Sequence, residues 1–231
     1  SNQTILNAYF NPIKFNNESK RTIIYGKYID AVFYKENFNL IFVKKSMNKI
    51  QVGFLVSYDY DLLKFAIPAL YEDSDTIFLA IDKNRKTWKG ENFDISPDFF
   101  EWIKTYDTNN KIVLFEEEFY ISGQTTMECE IRERKMLAEK MGIGNWLIQV
   151  DADEYFLDFK SFVKFLKSKN HFLKNPEKNQ VQISPFLVNL YKRLDNGMLY
   201  VDMPTKQLLA TNYPSYKVGR QTRKRIISER R

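Results

Sequence analysis

Three carboxylates stand within four positions at Asp151-Ala152-Asp153-Glu154, directly after the apolar run of residues 145–150. Carboxylates this close repel one another and need a counter-charge to stay ionised together. A hard divalent cation with oxygen ligands supplies one, and open solvation of a strand-to-helix loop is the other solution. A bare D-x-D triplet leaves both readings standing.

Other residues point to the same place in a fold. The apolar runs 52–57, 76–82 and 111–116 end in Ser57, Asp82 and Glu116, so four runs in all finish on a polar or acidic side chain. In open α/β sheets, ligands sit beyond the carboxyl ends of the strands. Tyr58 follows Ser57 directly and offers a ring for stacking, although core packing is the commoner fate of a tyrosine. Arg132 and Arg134 lie in a segment, 127–141, that reads as a helix. Met127, Ile131, Ala138 and Met141 form its apolar stripe, with Arg134 inside it. An arginine there either snorkels to solvent or meets negative charge, from the acidic cluster or from an anionic ligand. His171 reads as a surface histidine, Glu116-Glu117-Glu118 as a solvated strand end, and Cys129 lacks the neighbours of a nucleophile.

Elements that would position these residues follow from periodicity. Short continuous apolar runs separated by helical segments read as buried parallel strands with crossover helices. Residues 61–71 form a helical pattern that Pro68 should kink or end. Ser96-Pro97 is a cap followed by proline at the first helical position, and Asp158 caps a further helix carrying Phe159, Phe162, Val163 and Leu166. Residues 31–34 and 40–43 suggest a hairpin, and 181–193 and 198–203 flank Asp195-Asn196-Gly197, a strong hairpin signal. The expected organisation is a strand-rich extension over 1–48, an α/β domain over 49–216 and a basic tail over 217–231.

Composition bounds the possibilities. In 231 residues, 44% are hydrophobic and 16% aromatic, which excludes a disordered chain. No apolar run approaches the ~20 residues of a membrane span, and the mean hydropathy is −0.45. One cysteine closes no internal disulfide, residues 1–10 show no signal-peptide pattern, and a cytoplasmic setting is expected. The tail holds seven basic residues against Glu229, which leaves 28 basic and 28 acidic residues elsewhere. The body is therefore neutral, no nucleic acid is expected as partner, and the tail suits an anionic membrane surface at the inner face.

The apolar strand leading into Asp151-Ala152-Asp153-Glu154, preceded by the arginine helix, by the Asp82-terminated strand and by the strand 52–57, resembles nucleotide-sugar glycosyltransferases of the GT-A fold, most closely the family 2 type, over residues 50–160. The resemblance implies a Rossmann-like, mostly parallel sheet and transfer from a UDP-sugar to a hydroxyl of a glycan or lipid-linked acceptor, with inversion, in cell-surface glycan synthesis. It implies that Ser57, Tyr58 and Asp82 hold uracil and ribose, that Asp151 meets ribose and metal, that Asp153 binds Mn²⁺ or Mg²⁺ directly, and that Arg132 and Arg134 face the donor. Two departures stand out: Arg-Glu-Arg replaces the usual Arg-Asn pair, and Lys83 follows Asp82 where the family continues D-x-x-S.

Inverting transfer needs a carboxylate base downstream of the metal motif. Glu177 and Asp195 fall in polar loop and turn, whereas Asp202 closes the strand begun at Met198, so Asp202 is the first candidate within the chain, ahead of Glu154 and the other carboxylates; a segment beyond Arg231 is the other source. Two other functions fit parts of the pattern. A sugar-phosphate nucleotidyltransferase has a similar sheet but needs a glycine-rich loop, and residues 57–60 contain no glycine. A non-catalytic module with an acidic loop and a nucleic-acid-binding tail would show salt-dependent binding and no affinity for UDP.

Overall fold

A computed structural model describes residues 21–25, 29–34, 39–44, 48–201, 205–206, 208–220 and 225–227. The chain divides into two compact units, Ser1–Met47 and Asn48–Arg231. In the first, strands β1 (Arg21–Tyr25), β2 (Ile29–Tyr34) and β3 (Asn39–Lys44) form an antiparallel sheet in chain order. The β2–β3 pair, with Tyr34 opposite Asn39, is the hairpin expected from the sequence.

The second unit is an α/β domain. Its elements run β4 (Ile50–Val56), α1 (Leu63–Ala66), β5 (Thr76–Asp82), α2 (Pro97–Tyr106), β6 (Ile112–Glu117), α3 (Thr126–Met141), β7 (Trp146–Asp151) and α4 (Phe159–Ser168). After α4 come β8 (Val181–Ile183), β9 (Phe186–Leu187), β10 (Leu190–Leu194), β11 (Gly197–Tyr200), β12 (Thr205–Lys206), β13 (Ala210–Thr211) and β14 (Arg225–Ile227). Seven strands form the central sheet in the order β14-β8-β13-β7-β4-β5-β6. Pairing is parallel throughout except at β13, which runs antiparallel to both β7 and β8. A mostly parallel sheet flanked by helices is compatible with a Rossmann-like fold.

Alternation along the strands sorts side chains between the layers. Ile50, Val52, Phe54 and Val56 of β4, with Ile77, Leu79 and Ile81 of β5, pack beneath α1, α2 and α4. The opposite face carries Leu55, Phe78, Ala80 and Leu147 against Leu137, Ala138 and Met141 of α3. Gly53 lets α3 come close, because a Cβ there would stand 2.8 Å from the Leu137 Cδ2.

Helix ends obey local chemistry. The Ser96 hydroxyl accepts from the Asp98 N–H at 3.3 Å with Pro97 as first helical residue. Thr125 and Glu128 form a reciprocal capping box at α3, and the Asp158 carboxylate accepts from the Ser161 N–H at 2.9 Å; the Ser161 hydroxyl and then this N–H hold the Asp158 pKa below the usual range. The helix expected over 61–71 shrinks to a single 3₁₀ turn and α1, which ends at Ala66; Ile67 still has helical φ and ψ, but Pro68 after it has no N–H with which to extend the ladder.

Three further expectations need correction. The long strand over 181–193 is three short ones, β8, β9 and β10. The β10–β11 hairpin turns at Asp195-Asn196, with Gly197 paired to Leu194 and no positive φ at the turn, so Gly197 begins a strand instead of making the turn. The basic segment is not a separate tail: Arg220 is buried, and β14 pairs with β8 in the sheet.

Candidate functional site

Strands β4, β5 and β6 extend the sheet in one direction, and β7 then joins on the other side of β4. That reversal makes a switch point between the carboxyl ends of β4 and β7, the position where α/β sheets open a ligand crevice. Register brings Asp151 level with Leu55, one residue before the end of β4. The loop after β4 holds Ser57, whose hydroxyl donates to Asp59 at 3.1 Å, and Tyr58, whose side chain is exposed.

Asp151 ends β7 and takes a guanidinium on each oxygen. Arg134 Nη2 donates to Oδ1 at 3.0 Å and Arg220 Nη2 to Oδ2 at 3.2 Å. Arg134 is held from behind: its Nε donates to Glu130 at 2.8 Å, and its own carbonyl accepts from the Gln149 amide at 2.7 Å. Its side chain is 2% exposed, yet the buried Nη1 has no partner. Pairing, not snorkelling, is therefore how the fold accommodates this arginine. Glu154 turns back to accept from the Asp151 N–H at 3.1 Å and from both terminal nitrogens of Arg220. Desolvation works against the Arg220 charge, but Glu154, Asp151 and Glu130 outweigh it and raise the Arg220 pKa.

Asp153 differs from its neighbours. The residue is exposed, and partial desolvation, followed by the charges of Asp151, Glu154 and Asp59, raises its carboxyl pKa. Behind Arg134, the wholly buried Glu133 accepts from the Trp88 indole at 2.6 Å, and burial raises its pKa to about 8.

The structure relocates several expected site residues. Asp82 is buried, and its carboxylate accepts four backbone N–H groups: Asn84 at 2.9 Å, Lys86 at 3.2 Å, Phe119 at 2.8 Å and Tyr120 at 3.0 Å. It ties the loops after β5 and β6 together, so no free carboxylate is presented to a base there. Arg132 lies apart from Arg134, on the outer side of α3, where its Nε donates to the Glu118 carbonyl at 3.3 Å. The apolar stripe holds at Ala138 and Met141, which are buried, but not at Met127, which is exposed; the buried face also takes in Cys129, Glu133, Arg134 and Leu137. Glu116 pairs with Arg85 at 2.6 Å and Glu118 with Lys83 at 3.2 Å, while His171 is exposed with its ring against Phe172. Asp202 lies outside the described residues.

Arg220, Glu130, Glu133 and Trp88 were not singled out from sequence. Glu130 and Arg134 stand at the four-residue spacing of a helical ion pair, which is a readable signal. Arg220 has none, because it sits in a run of basic residues indistinguishable from a solvated end.

No protein-family model matches the chain, and no curated protein matches it. The geometry of the site alone thus carries the functional reading.

The donor set suits a hard cation. Asp151 and Asp153 offer oxygens only, and at Asp153 desolvation first, then the neighbouring carboxylates, raises the pKa. Among the described residues no group of three or more His, Cys, Asp or Glu side chains is arranged to hold a metal ion. One or two carboxylates, with the rest of the shell from water and substrate phosphates, is the habit of Mg²⁺ sites.

Proposed function

We propose that this protein is a glycosyltransferase of the GT-A type that moves a sugar from a UDP-sugar to a hydroxyl acceptor. The observation that carries the reading is the exposed Asp153 at the β4–β7 switch point, two residues after Asp151, which a buried arginine holds at 3.0 Å. Asp153 and Asp151 would hold Mn²⁺ or Mg²⁺, which when bound stabilises the negative charge gathering on the departing diphosphate. The chain's own residues do the rest. Arg134, locked by Glu130 and Asp151, presents a rigid positive charge that needs no reorganisation as the bond breaks. Tyr58, exposed just after β4, would stack on the base, and Ser57 with Asp59 would line the same side. Inversion calls for a carboxylate base on the face of the sugar opposite the diphosphate, with Asp202 as the candidate. With Arg220 buried, contact with an anionic membrane would fall to Lys217 and the basic residues after it.

Thermal unfolding with UDP, CMP and GDP, each with and without Mn²⁺, tests this. UDP with Mn²⁺ at 100 times its Kd should add ~2.7 kcal/mol of stability. Asp153→Asn should abolish the Mn²⁺-dependent part without loss of fold, since it also relieves repulsion. No stabilisation by any nucleotide would overturn the reading.

A further inference from the structure

The stretch that ends at residue 220 passes along α3 and returns to the strand end. Gly219 donates its N–H to the Met127 sulfur at 3.3 Å, and a Cβ there would meet Glu130 at 3.1 Å. Arg220 then turns inward, its side chain 6% exposed. Nη1 donates to the Gln149 carbonyl at 3.1 Å and to Glu154 Oε2 at 2.6 Å, while Nη2 donates to Glu154 Oε1 at 2.5 Å and to Asp151 Oδ2 at 3.2 Å. Glu154 is thereby fully engaged, since this fork is the strongest geometry a carboxylate can adopt with a side chain.

A guanidinium and a divalent cation compete for the same oxygens and repel each other at that distance. We propose that Arg220 is a positioning residue that acts as the resident counter-ion of the β7 end: it removes Glu154 from the ligand set and competes with the divalent cation for Asp151. The cation is then retained well only when a diphosphate brings additional oxygens, so metal and nucleotide bind together. The inference rests on reading this strand end as a metal-diphosphate site. Arg134 supports it independently: a second buried guanidinium already holds the other oxygen of Asp151, and its Nη1 is a buried donor without a hydrogen-bond partner.

Mn²⁺ binding to the 231-residue chain, measured by electron paramagnetic resonance with Mn²⁺ alone and again with UDP, is the test. Wild type should bind Mn²⁺ weakly alone and more tightly with UDP. Arg220→Gln should bind Mn²⁺ alone about tenfold more tightly, and UDP should then add less. Arg220→Lys, which keeps the charge, should stay close to wild type. The double variant Arg220→Gln with Glu154→Gln removes cation and partner together, so it guards against unfolding from an unpaired buried carboxylate; it too should bind Mn²⁺ more tightly than wild type, because Asp151 is released. A merely structural role would weaken metal binding on substitution. Mn²⁺ binding no tighter than wild type in a folded Gln variant overturns the proposal while leaving the site intact. Absence of Mn²⁺ binding from every variant, with or without UDP, overturns both the site and the proposal.

Discussion

Arg134 and Asp151 are joined at 3.0 Å across the gap between α3 and the end of β7, with the guanidinium almost wholly out of water. Replacing Arg134 with alanine strands Glu130 and half of Asp151's neutralisation. The expected loss is about 2–4 kcal/mol in urea denaturation, below the full range for a buried pair because Asp151 keeps contact with solvent. Arg134→Lys should recover part of it, since one ammonium cannot serve both carboxylates in the planar geometry that arginine offers.

Asp82 should behave as a structural residue. Asp82→Asn keeps an acceptor toward Asn84 and Lys86 but turns an amide donor on the Phe119 and Tyr120 N–H groups. A stability loss of about 2–4 kcal/mol is expected by chemical denaturation. Affinity for UDP, CMP and GDP should shift together; selective loss of UDP would restore a base-recognition role.

Glu133 gives the fold a pH dependence. Its pKa rises from an ordinary 4.5 to about 8 on folding, so between those values the native state holds a proton that the unfolded chain has released. Stability from this group is complete below pH ~4.5 and declines as pH rises through ~8, by roughly a few kcal/mol in all. Denaturation midpoints at pH 5 and pH 8.5 should differ in that direction for wild type, and Glu133→Gln should flatten the difference.

The parallel core was legible because β4, β5 and β7 are mostly apolar runs buried on both faces, while β6, at the sheet edge, is apolar over its first four residues though largely open to solvent. Thr125 and Glu128 carry a readable signal that the expected helix start at 127 passed over, a cap followed three positions later by its reciprocal acid. Asp82 misled because residue type and strand-end position are the same for a ligand-binding carboxylate and for one that staples loops; only the positions of Phe119 and Tyr120, 37 and 38 residues away, tell them apart. Arg220 could not be read because its partners lie 66 to 71 residues upstream, and no local pattern distinguishes an inward arginine from its solvated neighbours. β13 escaped notice for the same reason: two residues make no periodicity, and only tertiary context makes Ala210 and Thr211 a strand.

That two-residue strand sets the order in which the protein can be built. β13 is wedged between β7 and β8, so β8 and β14 reach the sheet only through residues 210–211. During synthesis β4 to β7 emerge first and can pair among themselves, but the outer edge of β7 stays open until about 60 more residues have left the ribosome. Through that interval Leu147 and Ile148, both buried in the finished protein, border an unpaired edge able to recruit another nascent chain. Arg220 arrives later still, so the nascent domain has Arg134 on one oxygen of Asp151 but leaves Glu154 and the other oxygen without their counter-ion until its closing segment docks.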